Sequence, residues 1–193
     1  MLRPPEHAPI STHFGKADVE VASVILKGAR KIPLFLVIAV AVLLADRLTK
    51  QWVIASIPLH SGYELIPGFM NLVHARNPGA AFGFLSQSAA TWRSALFLVI
   101  SAAAAVAILW LVFSAREIEA HLLVGYALFF SGAVGNLIDR VMYGEVIDFL
   151  DVYVKAWHWP AFNVADSALC VGTALFFLHL LVFGPREQKS SRC

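Results

Sequence analysis

Cysteine and charge are both scarce in this chain. Only two of its 193 residues are cysteines, Cys170 inside an apolar run and Cys193 at the C-terminus, and only 15% of the residues are charged. The spacing of the two cysteines matches neither a zinc site, nor a CxxC redox pair, nor a disulfide framework. We expect Cys170 to be a packing residue, because a free cysteine behaves mainly as a small hydrophobe.

Basic residues are also few, and they form no stripe. The net charge is +2, and the lysines and arginines are scattered or flank apolar runs. A protein that binds nucleic acid normally clusters its basic residues on one face. We therefore expect no nucleic-acid partner.

Long apolar runs are what the chain has in abundance. Hydrophobic residues make up 59% of the chain, and its mean hydropathy is +0.70, which is too apolar for an ordinary soluble domain. We predict an all-α polytopic membrane protein with four transmembrane helices and a small extramembrane β-region between helices 1 and 2. The predicted spans are residues 32–53, 94–115, 120–140 and 162–183.

The remaining segments are assigned around these spans. Pro67 and Gly68 lie between β-favouring residues, so we expect a hairpin there. One bundle uses most of the chain, and we expect a monomer. The predicted organisation is a cytoplasmic N-terminal tail, 1–31, a four-helix membrane domain, 32–185, with extramembrane segments 55–92 and 141–161, and a cytoplasmic C-terminal tail, 186–193.

The first predicted span carries charge towards the bilayer. Its uncharged core, residues 32–45, has 14 residues, fewer than the roughly 20 needed to cross about 30 Å of hydrocarbon. The helix must therefore include Asp46, Arg47 and Lys50. Asp46 and Lys50 stand at i and i+4 and can pair on one helix face. For Arg47 we expect a side chain that snorkels to the lipid head groups.

Polar residues also stand at the ends of two other apolar runs. Asn136, Asp139 and Arg140 end the third span and share one helix face. Asp166 begins the fourth span, three residues after Asn163. That spacing is typical of a helix N-cap with its acidic partner, and it is equally compatible with a functional acid. Both interpretations stay open on spacing alone.

Glycines mark two further positions of interest. Asn77-Pro78-Gly79 is either an ordinary turn or a turn that presents backbone polar groups to a ligand. Gly132 and Gly135 lie one turn before the polar end of the third span, where they would let a neighbouring helix approach closely.

Basic residues set the expected orientation. The N-terminal tail, the short link 116–119 and the C-terminal tail together hold nine lysines and arginines, so both termini are expected in the cytoplasm. The polar ends of spans one, three and four then meet at the outer face. Capping residues alone have no reason to agree in this way. Because a charge at a helix centre costs roughly 2.5–3.5 kcal/mol in a bilayer, the agreement indicates a functional site.

Three classes of function would use such a cluster. Two carboxylates at one site suit proteolysis by an activated water, a small transporter or proton relay would use intramembrane acids, and a scaffold would only bind lipid or partner helices. A relay would spread its acids across the membrane depth, whereas these acids gather at one face. A scaffold has no need of paired free carboxylates.

Five segments carry a resemblance that extends over about residues 34–183. They are DRLTK (46–50), NPGAAFG (77–83), GNLIDR (135–140), VIDF (146–149) and FNVAD (162–166). In this order they resemble lipoprotein signal peptidase, the bacterial signal peptidase II. The resemblance implies a four-helix aspartic peptidase of the bacterial inner membrane that cleaves prolipoprotein signal peptides before a diacylglyceryl-modified cysteine. It makes residues 32–185 the membrane peptidase domain and places the segments 55–92 and 141–161, with the small β-region, in the periplasm.

The resemblance also implies roles for individual residues. It makes Asp148 and Asp166 the catalytic pair. It implies prolipoprotein substrates, contact with membrane lipid, an active site at the periplasmic face, and neither a cofactor nor a metal. The supporting or substrate-facing positions that it implies are Asp46, Lys50, Asn77, Gly79, Asn136, Asp139, Arg140 and Asn163.

The chemistry of two acids agrees with that assignment. Two close carboxylates cannot easily both ionise, so one holds a proton while the other acts as a base towards water. Asp139 is expected to differ, because the adjacent Arg140 guanidinium favours its charged form. We therefore expect Asp139 to be a structural acid paired with Arg140.

Overall fold

The computed structural model describes residues 16–79 and 90–183. Predictions for residues 1–15, for 80–83 of the glycine-containing motif and for the tail 186–193 lie outside the described residues. Within the described part, four helices contain segments long and apolar enough to cross a membrane. The predicted fold class, a four-helix polytopic membrane protein with a small β-region, is confirmed.

The third helix is the centre of the bundle. It packs against each of the other three helices, and it is the span with the largest buried share. The helices are α1 (Lys16–Ser56), α2 (Ala90–Ser114), α3 (Ala120–Tyr143) and α4 (Val164–Phe183). Their membrane-crossing segments are Lys31–Ser56, Ser94–Ser114, Ala120–Tyr143 and Val164–Leu181.

Helix α1 begins earlier than the predicted span. It starts at Lys16 and runs unbroken through the second half of the region that the sequence assigns to a tail. Residues 16–32 contain one glycine and no proline, so nothing in the local sequence stops a helix. Pro33 lies inside α1, where it removes one backbone hydrogen bond without ending the helix.

A four-stranded antiparallel sheet covers the end of the bundle where α1 and α3 finish. Its strands, in spatial order, are β1 (Gly62–Ile66), β2 (Met70–Asn77), β3 (Val146–Val154) and β4 (Trp157–His158). The hairpin predicted around Pro67 and Gly68 is β1–β2 and is confirmed. Strands β3 and β4 were not predicted. Asp148 and Asp151 interrupt the apolar pattern of β3, although its other residues are aliphatic or aromatic and mostly favour strands.

The register between β2 and β3 places polar residues side by side. Asn71 is opposite Asp151, and Asn77 is opposite Val146. Asp148 stands two residues beyond Val146, so it is the diagonal neighbour of Asn77 on the same face of the sheet. The sheet therefore brings an amide from the first extramembrane segment to a carboxylate from the second.

Two apolar clusters hold these elements together. The first lies between α1, α2 and α3, and its buried members are Phe35, Ala39, Val112, Leu123 and Ala127. The second joins the end of α1 to the sheet, and its buried members are Val53, Ile57, Leu72 and Phe149. The second cluster fixes the sheet against the same turns of α1 that carry the charged residues.

The outer surface of the helices stays apolar. Val106, Trp110 and Leu181 are 66%, 67% and 84% exposed, which suits a surface in contact with lipid tails. Cys170 is also exposed on α4. The expectation that it packs inside the protein is therefore wrong, because its position on the helix faces away from α3.

Two glycines of α3 allow close helix contacts, as the sequence predicts. A Cβ atom at Gly132 would lie 2.3 Å from the backbone oxygen of Ala165, and one at Gly135 would lie 2.8 Å from Asp46 Oδ2. Real Cβ atoms do not approach other atoms so closely. The close approach of α4 to Gly132, and that of Asp46 to Gly135, are therefore possible only because these two residues have no side chain.

We expect Gly132→Ala to lower the melting temperature of the purified protein in detergent. Alanine improves helix propensity by about 0.8–1.0 kcal/mol, but overpacking a filled core costs about 1–3 kcal/mol, and the Ala165 carbonyl cannot rotate away. The control is Ala103→Val, which adds volume on the exposed face of α2. An unchanged or higher melting temperature for Gly132→Ala would contradict the close contact.

Candidate active site

A fully buried lysine forms the base of the site. Lys50 Nζ lies 2.9 Å from Asp46 Oδ2 and 2.7 Å from Asp139 Oδ2, and it donates a 3.2 Å hydrogen bond to Asn136 Oδ1. The contact with Asp46 Oδ2 has ion-pair distance without hydrogen-bond alignment. Asp46 Oδ1 accepts a 3.0 Å bond from the backbone N–H of Ala165. The predicted Asp46–Lys50 pair is confirmed, and it links α1 to both α3 and α4.

Among the described residues, Asp139 forms ion pairs with two cations, Arg47 and Lys50, and not with Arg140. One of its carboxylate oxygens contacts Lys50, and the other accepts a hydrogen bond from Arg47. The backbone N–H of Ile147 also donates to Asp139 Oδ2, at 3.3 Å. The expected Asp139–Arg140 pair is wrong, because consecutive helix residues point about 100° apart. The snorkelling expectation for Arg47 is also wrong, since its side chain turns inward and is only 20% exposed.

Arg140 lies near three carboxylates, those of Asp166, Asp148 and Asp139. Its Nη1 donates a 3.2 Å hydrogen bond to the backbone oxygen of Asn136, and its guanidinium carbon lies 5.4 Å from the ring centroid of Phe97. Among the carboxylates, Asp166 and Asp148 interact with it most strongly. Arg140 therefore stands close enough to these acids for electrostatic attraction, without a direct ion pair among the described contacts.

Asp148 is a buried acid on strand β3. It is 2% exposed. Its Oδ2 accepts a 3.0 Å hydrogen bond from Asn77 Nδ2, and its Oδ1 accepts one of 2.8 Å from Asn163 Nδ2. Burial, followed by the negative charge of Asp166, raises the pKa of Asp148 to about 7, and the two amide hydrogen bonds offset only part of this effect. This carboxyl group therefore holds a proton up to neutral pH.

Asp166 lies in the first turn of α4 and is fixed by a reciprocal cap. Its backbone N–H donates to Asn163 Oδ1 at 2.9 Å, while the backbone N–H of Asn163 donates to Asp166 Oδ2 at 3.2 Å. This arrangement is a capping box with aspartate as the acid. The other oxygen, Oδ1, accepts a 2.7 Å bond from Asn136 Nδ2. The N-cap interpretation of the sequence is thus confirmed, and the cap also fixes where the carboxylate stands.

Two asparagine amides connect the acids. Asn136 accepts from Lys50 through Oδ1 and donates to Asp166 through Nδ2, so its orientation is determined by a cation on one side and an anion on the other. Asn163 Nδ2 lies 2.8 Å from Asp148 Oδ1 and 3.2 Å from Asn136 Oδ1. A continuous polar path therefore runs from the buried lysine to both carboxylates.

The Asn77 turn completes the site from the sheet side. The backbone N–H of Gly79 donates to Asn77 Oδ1 at 2.9 Å, which leaves Asn77 Nδ2 directed at Asp148. Gly79 has a φ of +93°, and a Cβ there would lie 2.3 Å from the ring of Phe97. Only glycine suits this position, because the backbone is left-handed and packs on the ring that also underlies Arg140.

Comparison with known proteins decides the family. A sequence profile described as "Signal peptidase (SPase) II" matches residues 38–182. The chain belongs to the signal peptidase II family.

Relatives from this family, and a solved structure of a bacterial membrane enzyme, match the chain over most of their length. The lipoprotein signal peptidase of Oleidesulfovibrio alaskensis is 47% identical over 146 residues, 76% of this chain and 92% of that protein. That of Syntrophus aciditrophicus is 43% identical over 157 residues, 81% of this chain and 96% of that protein. A bacterial membrane enzyme structure at 2.3 Å resolution is 32% identical in sequence and has a TM-score of 0.71. The match covers 84% of this chain and 96% of the chain in that structure.

In this member of the signal peptidase II family, the fold brings together the ten residues to which the resemblance assigns a role, Asp148, Asp166 and the eight supporting positions. Hydrogen bonds and ion pairs connect them into one group. Sequence reasoning missed three contributors: the ring of Phe97 and the backbone N–H groups of Ile147 and Ala165. Phe97 lies in a uniformly apolar run, and backbone donors leave no trace in residue type. Among the described residues, a group of side chains that could bind a metal ion lies at the opposite end of the bundle, at Glu119, His121 and His179.

We expect Asp139→Asn to lower both yield and melting temperature in this signal peptidase II family member. The substitution removes the carboxylate that Lys50 and Arg47 share, and uncompensated buried charge typically costs about 3–5 kcal/mol. The matched control is Glu145→Gln, an acid-to-amide change at a partly buried residue just beyond α3. A stable but inactive Asp139→Asn protein would instead place Asp139 in the chemistry.

Proposed function

We propose that this chain is an aspartic endopeptidase that removes signal peptides from prolipoproteins by cleaving before the diacylglyceryl-modified cysteine. Asp148 and Asp166 are the proposed catalytic pair, and a water molecule is the proposed nucleophile. The observation that carries the proposal is the pairing of two interacting carboxylates with different environments at one end of the spans. Membership of the signal peptidase II family and the names of the relatives support the substrate class.

The two acids have different proposed roles. Asp148 keeps its proton because burial and the neighbouring charge raise its pKa to about 7. Asp166 stands in the first turn of α4, where the helix dipole favours negative charge, and it accepts a hydrogen bond from Asn136. Asp148 is therefore the proposed acid, and Asp166 is the proposed base.

The proposed reaction follows from these roles. The Asp166 carboxylate accepts a proton from water while the water oxygen attacks the scissile carbonyl carbon. The Asp148 proton is donated to the carbonyl oxygen, which stabilises the charge that develops there. When the tetrahedral intermediate collapses, the C–N bond breaks, the proton on Asp166 passes to the departing amine of the modified cysteine, and the diol proton returns to Asp148.

The membrane setting suits a lipid-modified substrate. The proposed pair stands where α3 ends and α4 begins, and the outer faces of the helices are apolar. Trp157 and Trp159 on the neighbouring sheet segment are 59% and 48% exposed, as is typical of aromatic residues at a membrane interface. The diacylglyceryl chains can remain in the bilayer while the peptide bond reaches the acids.

The orientation and oligomeric state are also proposals. The nine basic residues on one side of the predicted spans support termini in the cytoplasm and an active site at the periplasmic face of the inner membrane. Because the ten site residues all come from one chain, a monomer suffices for the proposed reaction.

We expect Asp148→Asn and Asp166→Asn each to reduce cleavage of a lipidated precursor by at least about 10²- to 10⁴-fold, because each removes a proton-transfer group. The melting temperatures should stay close to wild type. The matched control is Asp151→Asn, three residues along the same strand, where the carboxylate contacts Asn71 and His158. Retained cleavage by either the Asp148 or the Asp166 variant would rule out the pair.

We expect kcat/KM to fall as the pH rises through about 7, because Asp148 then loses the proton that it donates. Asn77→Ala removes a hydrogen bond that lowers the pKa of Asp148, so this alkaline decline should move to higher pH. Asn71→Ala is the matched control, since Asn71 donates to Asp151 across the same two strands. A decline that moves to lower pH in Asn77→Ala would contradict the assignment of the proton to Asp148.

A further inference from the structure

A second group of titratable side chains lies at the other end of the bundle. Glu119 immediately precedes α3, His121 stands in the first turn of α3, and His179 stands in the last turns of α4. Thirteen residues of α4 separate Asp166 from His179, which corresponds to about 20 Å at 1.5 Å per residue. The group is therefore remote from the proposed catalytic pair.

Three ligand atoms of this group converge. His121 Nε2 lies 2.9 Å from His179 Nδ1 and 3.5 Å from Glu119 Oε2, and His179 Nδ1 lies 3.9 Å from Glu119 Oε2. A circle through three points with these separations has a radius of about 2.0 Å, and zinc binds nitrogen at about 2.0–2.1 Å and carboxylate oxygen at about 2.0–2.2 Å. An ion at that centre would touch all three atoms at bonding distance.

The surroundings of the group also suit a metal ion. The ring centroids of the two histidines are 5.1 Å apart and the rings are tilted by 37°, and one nitrogen of each ring approaches the other to 2.9 Å, a hydrogen-bond distance. The side chains of Glu119, His121 and His179 are 56%, 36% and 20% exposed, and the first two line a cavity of about 600 Å³. An ion can thus enter from solvent and keep a water ligand.

We propose that Glu119, His121 and His179 bind a divalent transition metal ion, with Zn²⁺ as the best match. Two imidazoles and one carboxylate form a ligand set that zinc uses in proteins, and imidazole excludes Mg²⁺ and Ca²⁺ as preferred occupants. The bound ion would tie the start of α3 to the end of α4. It would stabilise the end of the bundle opposite the proposed active site, without entering the hydrolysis.

The test is a metal titration of the purified full chain in detergent, prepared without a polyhistidine tag. Zn²⁺ is titrated against a chromogenic chelator, and Co²⁺ absorption reports the ligand geometry. We expect one equivalent to bind the wild type. His121→Ala and His179→Ala should each weaken binding by more than about 100-fold, because losing even a supporting partner of a metal ligand costs about 10- to 100-fold. Zn²⁺ should raise the melting temperature of the wild type and not that of these variants.

Two variants serve as matched controls. Glu117→Gln removes the same charge from the same link and lines the same cavity, and His60→Ala removes an exposed imidazole near the sheet. Both should bind Zn²⁺ as the wild type does. Less than one equivalent in the wild type, or unchanged affinity in both histidine variants, would overturn the proposal.

Glu119→Gln keeps the test decisive if a histidine variant folds poorly. Glu119 is exposed, so its replacement should leave the bundle intact. Affinity equal to wild type in this variant would remove the carboxylate from the ligand set and overturn the three-ligand site. Because no readout is peptide cleavage, failure here leaves the proposed peptidase function untouched.

Discussion

The rest of the structure depends on the contacts that the buried ammonium group of Lys50 makes near the end of α1. Removing an ion from water costs several kcal/mol even after relaxation. Lys50 is tolerated only because two carboxylates and one amide oxygen surround it. Those partners come from α1 and α3, and Asp46 extends the group to α4 through the backbone of Ala165. These contacts fix how α1, α3 and α4 are rotated about their own axes. Rotating one of these helices would leave a buried charge without its partner.

The hydrogen bonds around Lys50 also explain why Asp148 and Asp166 have different environments although they lie close together. Asn136 is oriented by Lys50 and in turn donates a hydrogen bond to Asp166. Asp148 lies on a strand instead, and it accepts hydrogen bonds from the amides of Asn77 and Asn163. One acid belongs to a helix start and the other to a sheet. A proton relay would need acids at successive depths, but the aspartates in the described spans, Asp46, Asp139 and Asp166, all lie at one end. The arrangement therefore favours chemistry at a fixed point over transport.

Much of this could be predicted from the sequence, and what could not has identifiable causes. Apolar runs located the four spans, and the i, i+4 rule paired Asp46 with Lys50, because both signals are local. The partners of Asp139 were misjudged because contacts between helices depend on how each is rotated, which residue adjacency does not reveal. Strand β3 was not recognised because Asp148 and Asp151 interrupt its apolar pattern. The roles of Asp148 and Asp166 came from resemblance, since spacing alone left Asp166 open as a cap.

The division of the proposed catalytic pair between β3 and α4 has a consequence for biosynthesis. Asp148 belongs to an extramembrane strand, while Asp166 is held by the cap of α4, which is synthesised after that strand. In the proposed mechanism, neither acid works alone. A partly synthesised chain, with three helices inserted and the fourth still missing, is therefore latent. In the proposed mechanism, peptide cleavage can therefore begin only after α4 has been synthesised and packed against α3.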